Sequence, residues 1–280
     1  MKVAIGLPNA VPDVSGSDLV EFARRAEARG FSCLGTIDRV VYGNYEPLVA
    51  LAAAAAVTEK IELMTSVMLG PLRTNAVQTA KQALSVNQIS GGRLTLGIGL
   101  GARGDDYDAS GVEHREIGSK LDGFLDGLVK TFEDSAIGPD GSGAPKILIG
   151  GSVEASFRRA ARYGEGWIAG GATPEQFAEM AAGVREAWTE AGREGEPRLA
   201  GLAYFSLGDD AQQTAGEYLT DYYAFLGDEV AQMIAGSAAT DAETVRGYLA
   251  GFEGVGCDEL VMFPCSGDPA QADMLAEAVK

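Results

Sequence analysis

Histidine is almost missing from this 280-residue chain, which has one, His114. Metal-dependent hydrolysis gathers several histidines with carboxylates around the ion, so no metal centre is expected. His114 reads as a surface or supporting residue in the loop after the fourth strand. Positive charge is scarce too: 22 Lys and Arg face 40 Asp and Glu, for a formal net charge of −18. Non-specific contact with nucleic-acid phosphates or anionic lipid depends on basic patches, so neither nucleic acid nor a membrane is an expected partner. No apolar run approaches the roughly 20 residues of a membrane span. The opening segment Met1 to Leu7 is cut short by Pro8, unlike a secretory signal. Cysteine is limited to Cys33, Cys257 and Cys265, an odd, scattered set that suits free thiols in a reducing compartment better than a disulfide framework. In apolar strand and turn contexts such thiols pack rather than react. The cytoplasm is therefore the expected location.

What is abundant is glycine, with 38 residues, set in a regular alternation of short apolar segments and longer amphipathic ones. Strands are predicted at residues 2–7, 33–37, 61–69, 94–99, 146–149, 166–169, 199–207 and 259–263. Their near-continuous Val/Ile/Leu character belongs to parallel sheets covered on both faces. Helices are predicted between them at 18–29, 46–58, 75–89, 117–133, 153–163, 174–191 and 241–252, with a last one at 269–279. Thr173-Pro174-Glu175-Gln176 marks one helix start, with a capping threonine, proline at the first helical position and a glutamine three residues on. Alternating βα units imply an α/β fold with a parallel sheet, closed or open. The length is near the roughly 250 residues of one (β/α)₈ barrel, so residues 1–280 are expected to form a single barrel domain, with 208–240 an irregular helical insertion. Residues 134–145, rich in Gly, Pro and Ser, read as a surface loop, because half barrels on either side could not bury their sheet edges.

In such a barrel the chemistry sits at the strand C-termini. The second strand ends in Thr36-Ile37-Asp38-Arg39, the third in Thr65-Ser66-Val67-Met68, the fourth in Gly97-Ile98-Gly99-Leu100-Gly101-Ala102, the fifth in Gly150-Gly151-Ser152 and the sixth in Gly170-Gly171. Glycines there let backbone N–H groups approach a ligand, and a following helix N-terminus favours an anion; they equally relieve crowding in short turns. Gly99 to Gly104 also matches the dinucleotide pattern G-x-G-x-x-G. That motif needs an immediate helix and a second strand with an acidic residue about 20 positions on, whereas a polar loop through Asp105, Asp106 and Asp108 is predicted, then helix. Asp38 is the sharpest candidate: a carboxylate at a strand mouth can accept hydrogen bonds from a polar cofactor edge or move a proton, or it pairs with Arg39 or another arginine. Leu7, Asn9, Tyr42, Tyr107, Phe263 and Cys265 are expected around an apolar substrate pocket.

Several segments carry a resemblance. Residues 45–101, above all Ile61-Glu62-Leu63-Met64-Thr65-Ser66-Val67, Lys81-Gln82-Ala83 and Ser90-Gly91-Gly92-Arg93-Leu94-Thr95-Leu96-Gly97-Ile98-Gly99, resemble the bacterial luciferase-like monooxygenases and their deazaflavin-dependent relatives. So do Asp106-Tyr107 with Gly111-Val112, Gly150-Gly151 with Arg159-Ala160-Ala161, Gly166-Trp167-Ile168, and Asp258-Glu259-Leu260-Val261. The resemblance implies a luciferase-like (β/α)₈ (TIM) barrel holding coenzyme F-420, a deazaflavin, or alternatively FMN, with a cis peptide at Ser66-Val67 behind the ring. It implies a cofactor site of Asp38, Ser66, Val67, Met68, Gly99, Gly101, Ala102, Gly150, Gly151 and Ser152, with Asp38 also the catalytic residue and Gly150-Gly151-Ser152 receiving the tail or phosphate.

Two departures matter. Arg39 stands where luciferases carry an active-site histidine, and Gly101 where they carry a phosphate-binding arginine, with Arg103 a substitute nearby. The departures favour a flavin- or deazaflavin-dependent oxidoreductase that transfers hydride between F-420 and a small-molecule substrate. An FMN-dependent monooxygenase and a non-catalytic flavin-binding protein are the alternatives. A homodimer is compatible with the resemblance.

Overall fold

Every strand carries apolar side chains on both faces, and that pattern builds two apolar layers. In the computed structural model, which describes residues 1–141 and 143–280, the strands are β1 Lys2–Gly6, β2 Cys33–Thr36, β3 Glu62–Leu69, β4 Leu94–Gly99, β5 Lys146–Gly150, β6 Gly166–Gly171, β7 Arg198–Phe205 and β8 Glu259–Pro264. All pair in parallel with their sequence neighbours, and β8 returns to β1, closing a barrel. Because successive side chains point to opposite faces, Ala4, Cys33, Met64, Leu148, Ile168, Ala200 and Val261 fill the inside. Ile5, Leu34, Leu63, Ile149, Trp167, Leu199 and Leu260 face the surrounding helices.

Among the described residues the helices are α1 Gly16–Ala28, α2 Pro47–Ala55, α3 Ala76–Ile89, α4 Gly104–Ala109, α5 Ile117–Phe132, α6 Glu154–Tyr163, α7 Pro174–Glu190, α8 Ala211–Tyr222, α9 Asp228–Gly236, α10 Ala242–Gly254 and α11 Ala270–Ala278. None is long and apolar enough to cross a membrane. The expected cap of α7 is present, Gln176 N donating to Thr173 Oγ1 and Thr173 N to Gln176 Oε1. Helix α4 corrects the sequence expectation of a polar loop after Gly99 to Gly104, so that objection to a dinucleotide motif fails. The motif fails on topology instead, since the strands close into a barrel and, among the described residues, no strand follows α4 before β5. Residues 211–236 hold α8, a 3-10 turn at Ala224–Leu226 and α9. The loop predicted at 134–145 leads into β5, with Ser142 outside the described residues.

At the N-terminal end of the strands a charged cluster stops the barrel. Glu259, 1% exposed, accepts hydrogen bonds from Ser32 Oγ and the Arg198 guanidinium, and Arg198 lies 3.7 Å from Glu62. Conserving charge here costs desolvation, which these hydrogen bonds and ion pairs offset. The opposite end is shaped by a register slip: Thr65 pairs with Leu96, but Met68 pairs with Ile98. The slip brings the Thr65 carbonyl so close to β4 that a Cβ on Gly97 would sit 2.0 Å from its oxygen.

Candidate active site

Within the slip, the Ser66-Val67 peptide is cis, as the resemblance implies, and Val67 turns its side chain into the barrel. A Cβ on Gly99 or on Gly150 would come 2.7 Å from a Val67 methyl. These two glycines, expected to cradle a cofactor, therefore make room for Val67. Gly101, at φ +75°, similarly faces a Leu69 methyl 2.7 Å from where its Cβ would stand.

The C-terminal ends of β2, β3, β4, β6 and β7 surround an open cavity of about 200 Å³, lined also by Tyr222, Tyr223 and Phe225 from α8 and the turn after it. Of the predicted site residues, Asp38, Ser66, Val67, Gly101 and Ala102 line it. Met68 does not: it is fully buried in the layer between strands and helices. Gly99 and Gly150 end their strands behind Val67, and Gly151 and Ser152 lie exposed at the start of α6, whose first turn has no side-chain cap. The Gly151 carbonyl accepts from Trp167 Nε1 at 2.7 Å.

Asp38 is 5% exposed. Its Oδ2 accepts from Leu69 N at 2.9 Å and from Arg73 Nη2 at 2.8 Å, and Oδ1 has no partner among the described residues. Arg73 also donates to Glu46 Oε1 at 2.9 Å, while Glu46 Oε2 caps α2 through Val49 N at 2.7 Å. Asp38 thus pairs with an arginine, though not with its neighbour Arg39. Arg39, 3% exposed at its side chain, is held by Asp106, 2% exposed, with Nε donating to Oδ2 at 3.0 Å. Asp106 Oδ1 accepts from the backbone of Val40 and Val41 at 3.0 and 2.7 Å, so one carboxylate pins the loop after β2 to α4. Arg39 Nη1 is buried without a partner, as are Ser66 Oγ and Arg103 Nη2.

Arg103 stacks 3.9 Å from the Phe225 ring centroid and 4.9 Å from that of Tyr222. Burial and the nearby Arg39 lower its pKa, yet guanidinium remains charged at any ordinary pH. The Tyr204 and Tyr223 hydroxyls lie 2.8 Å apart, and burial pushes both pKa values up, so both stay neutral and can donate.

Leu7, Asn9, Tyr42, Tyr107, Phe263 and Cys265 do not line the cavity. Phe263 instead fills the barrel over Gly6 and Gly35. Asn9 Nδ2 donates to the Ile37 and Tyr45 carbonyls, and Tyr42 OH donates to Asp221. Their places are taken by Leu202, Tyr204, Tyr222, Tyr223 and Phe225. The aromatic run from Tyr218 to Phe225 could have signalled this. His114 is exposed and packs edge-on to Tyr107 at 4.6 Å, a surface residue as expected.

The family model described as luciferase-like monooxygenase matches residues 1–256. The chain belongs to that family. Within the luciferase-like family, the 5,10-methylenetetrahydromethanopterin reductase of Methanolobus tindarius is 28% identical over 215 residues, 72% of this chain and 65% of that protein. An F420-dependent secondary alcohol dehydrogenase, solved with an F420-acetone adduct, superposes with a TM-score of 0.80 at 19% identity, covering 100% of both chains. The oxygenating constituent of 3,6-diketocamphane monooxygenase from Pseudomonas putida, solved with FMN, superposes at 0.74 with 17% identity over 100% of this chain and 97% of that one. At these identities the two superpositions establish the luciferase-like barrel; family membership makes the chain an oxidoreductase.

Proposed function

We propose that the protein transfers hydride between the deazaflavin coenzyme F-420 and a small organic substrate, working in the cytoplasm as one barrel unit with 208–240 as its insertion. The observation that carries this reading is Arg39. It occupies the position after the acidic residue where luciferases carry histidine, and it is bound to Asp106 at 3.0 Å. A guanidinium cannot give up its proton near neutrality, so the site lacks the usual agent for oxygen chemistry, while direct hydride transfer needs none at that position. The F420-dependent dehydrogenase with the same barrel and the reductase relative support the choice.

The residues present suit a planar, polar-edged ring. Unpartnered Ser66 Oγ and Arg39 Nη1, the free Oδ1 of Asp38 and the methyls of Val67 all border one cavity. The deazaflavin, when bound, supplies or accepts the hydride. Asp38, held in place by Arg73, would accept from the ring edge or take the substrate's proton; Gly150, Gly151 and Ser152 would receive the tail at the uncapped start of α6. The cavity, about 200 Å³, is smaller than the roughly 300–1,000 Å³ of ligand pockets and is open at its mouth, so the two ligands together would extend beyond it.

Fluorescence titration of the purified protein with F-420 and with FMN tests the reading. Saturable F-420 binding with weak FMN binding is expected; tight FMN binding with none for the deazaflavin would overturn it and favour the monooxygenase reading.

A further inference from the structure

The chain is strongly acidic, with a net charge of −18, yet its cavity holds a cation without a counter-charge. Three other charged residues line that cavity, Asp38, Arg39 and Asp106, and each of them is ion-paired. Asp38 is engaged by Arg73 at 2.8 Å, and Arg39 by Asp106 at 3.0 Å. Arg103 has no ion pair and no hydrogen bond among the described residues. It is held only by the faces of Phe225 and Tyr222, and its Nη2 is fully buried and unpartnered.

Arg39 is paired with Asp106 at 3.0 Å and with Asp105 at 3.4 Å, yet it adds a second open donor. Its guanidinium lies 5.4 Å from the same Tyr222 ring, and its Nη1 is also buried and unpartnered. Two guanidinium groups therefore flank one aromatic ring with two N–H directions left unfilled. A buried donor left unpaired costs free energy, and an anion entering the cavity can accept from both. Arginine's planar fork matches a carboxylate in particular, and aromatic faces fix the fork's orientation beforehand.

We propose that Arg103, assisted by Arg39, receives a carboxylate of the substrate, so that the substrate of this site is a small carboxylic acid. The proposal rests on the oxidoreductase reading above for the word substrate, though not for the anion site itself. The cofactor's own phosphate is a second source of negative charge, since Arg103 stands near where luciferases carry a phosphate-binding arginine; Gly150 to Ser152, the other contact expected for it, lies outside this cavity. Arg103 shares its cavity with Asp38 and Ser66, at the place where the reacting partner of the ring must lie. The aromatic residues that orient Arg103 also line the cavity, so the fork is held at its wall.

The test uses matched probes: benzoate against benzamide and isobutyrate against isobutyramide, at constant ionic strength, with and without F-420. Affinity is read by the concentration dependence of Tm and by calorimetry. Both carboxylates are expected to bind and both amides to bind at least tenfold more weakly. Arg103→Gln should raise the carboxylate Kd about ten- to a hundredfold, the loss of a hydrogen bond to a charged group, while leaving F-420 affinity unchanged. Arg103→Lys should fall between, keeping charge but losing the planar fork. Arg24→Gln, an exposed arginine on α1, should change nothing and excludes a diffuse charge effect.

Equal binding of acids and amides to the wild-type protein overturns the proposal, whatever the variants do. So does an Arg103→Gln protein that still prefers carboxylates. So does one that loses F-420 but retains the tail-less deazaflavin, because Arg103 then serves the cofactor's phosphate. If F-420 fails to bind while the carboxylate preference depends on Arg103, the hydride-transfer reading falls and the anion site stands.

Discussion

Removing the charge of Asp106 should unfasten the mouth of the barrel, and the structure sets the scale of the loss. In Asp106→Asn the side-chain carbonyl can still accept from Val40 and Val41, but Arg39, 3% exposed, loses its buried partner. Breaking a buried ion pair from one side costs about 3–5 kcal/mol. The low end applies here, because half-exposed Asp105 already stands 3.4 Å from Arg39 Nη2 and can take up part of the charge. A loss of about 3 kcal/mol lowers Tm by roughly 6–12 °C in a domain of this order of size. Asp106→Ala also frees the two backbone amides. Val40 and Val41 are 47% and 43% exposed, so water can replace the lost acceptor and the added cost is about 1 kcal/mol. Urea and thermal melts of Asp106→Asn, Arg39→Met and the double variant measure the coupling directly. The double variant should be about 2 kcal/mol more stable than the two single losses added together. Additivity within about 0.5 kcal/mol would refute the claim that this pair is a buried, mutually dependent clamp.

Asp38→Asn should retain F-420 binding within about tenfold yet slow reoxidation of the reduced coenzyme by at least about 100-fold, the scale of a lost proton-transfer group; stopped-flow absorbance reads it, and an unchanged rate would remove Asp38 from the chemistry. Gly150→Ala places its Cβ 2.7 Å from Val67 Cγ1 and should cost about 1–3 kcal/mol by overpacking, with Val67→Ala restoring much of it in the double variant. Failure of that rescue in denaturant melts would show that Gly150 is required for another reason. On the acid side, burial raises the Glu27 pKa, but backbone N–H donors from Ile61, Lys60 and Glu59, with Arg93, lower it further, for a net depression below 4.5. The stability this carboxylate contributes is therefore present above about pH 4.5 and lost as pH falls through its folded value. Melts from pH 7 to 3 should show Glu27→Gln less stable than wild type at pH 7, with the gap closing toward pH 3. All three cysteines are buried and burial pushes Cys257 up to about 12, so a disulfide reagent at pH 8 should find no fast thiol in the native protein and three in urea.

The barrel was legible because its signal is spread along the whole chain: apolar runs of strand length recur between amphipathic helices, and each run serves two buried faces. Helix α4 escaped because six residues with three acidic side chains carry no apolar stripe; its stability comes from Asp106 reaching β2's loop, a contact between residues 66 apart. The candidate site was legible in part. Asp38 and the segment at Ser66 and Val67 could be placed from their positions after β2 and β3. The glycines could not be interpreted, because sequence does not say whether the missing side chain leaves room for a ligand or for Val67. Arg73 was invisible for the same reason: nothing local ties it to Asp38. The aromatic cap lies in 208–240, where the alternation breaks down and spacing gives no face, so its tyrosines were passed over in favour of residues nearer the strands.

Ser32, Glu62, Arg198 and Glu259 pair with one another at the end of the barrel away from Asp38, whereas the opposite end keeps Ser66 Oγ and two arginine N–H groups open. The two ends of the same strands therefore divide the work: substitutions in the lower cluster should move the melting temperature and leave ligand affinity alone.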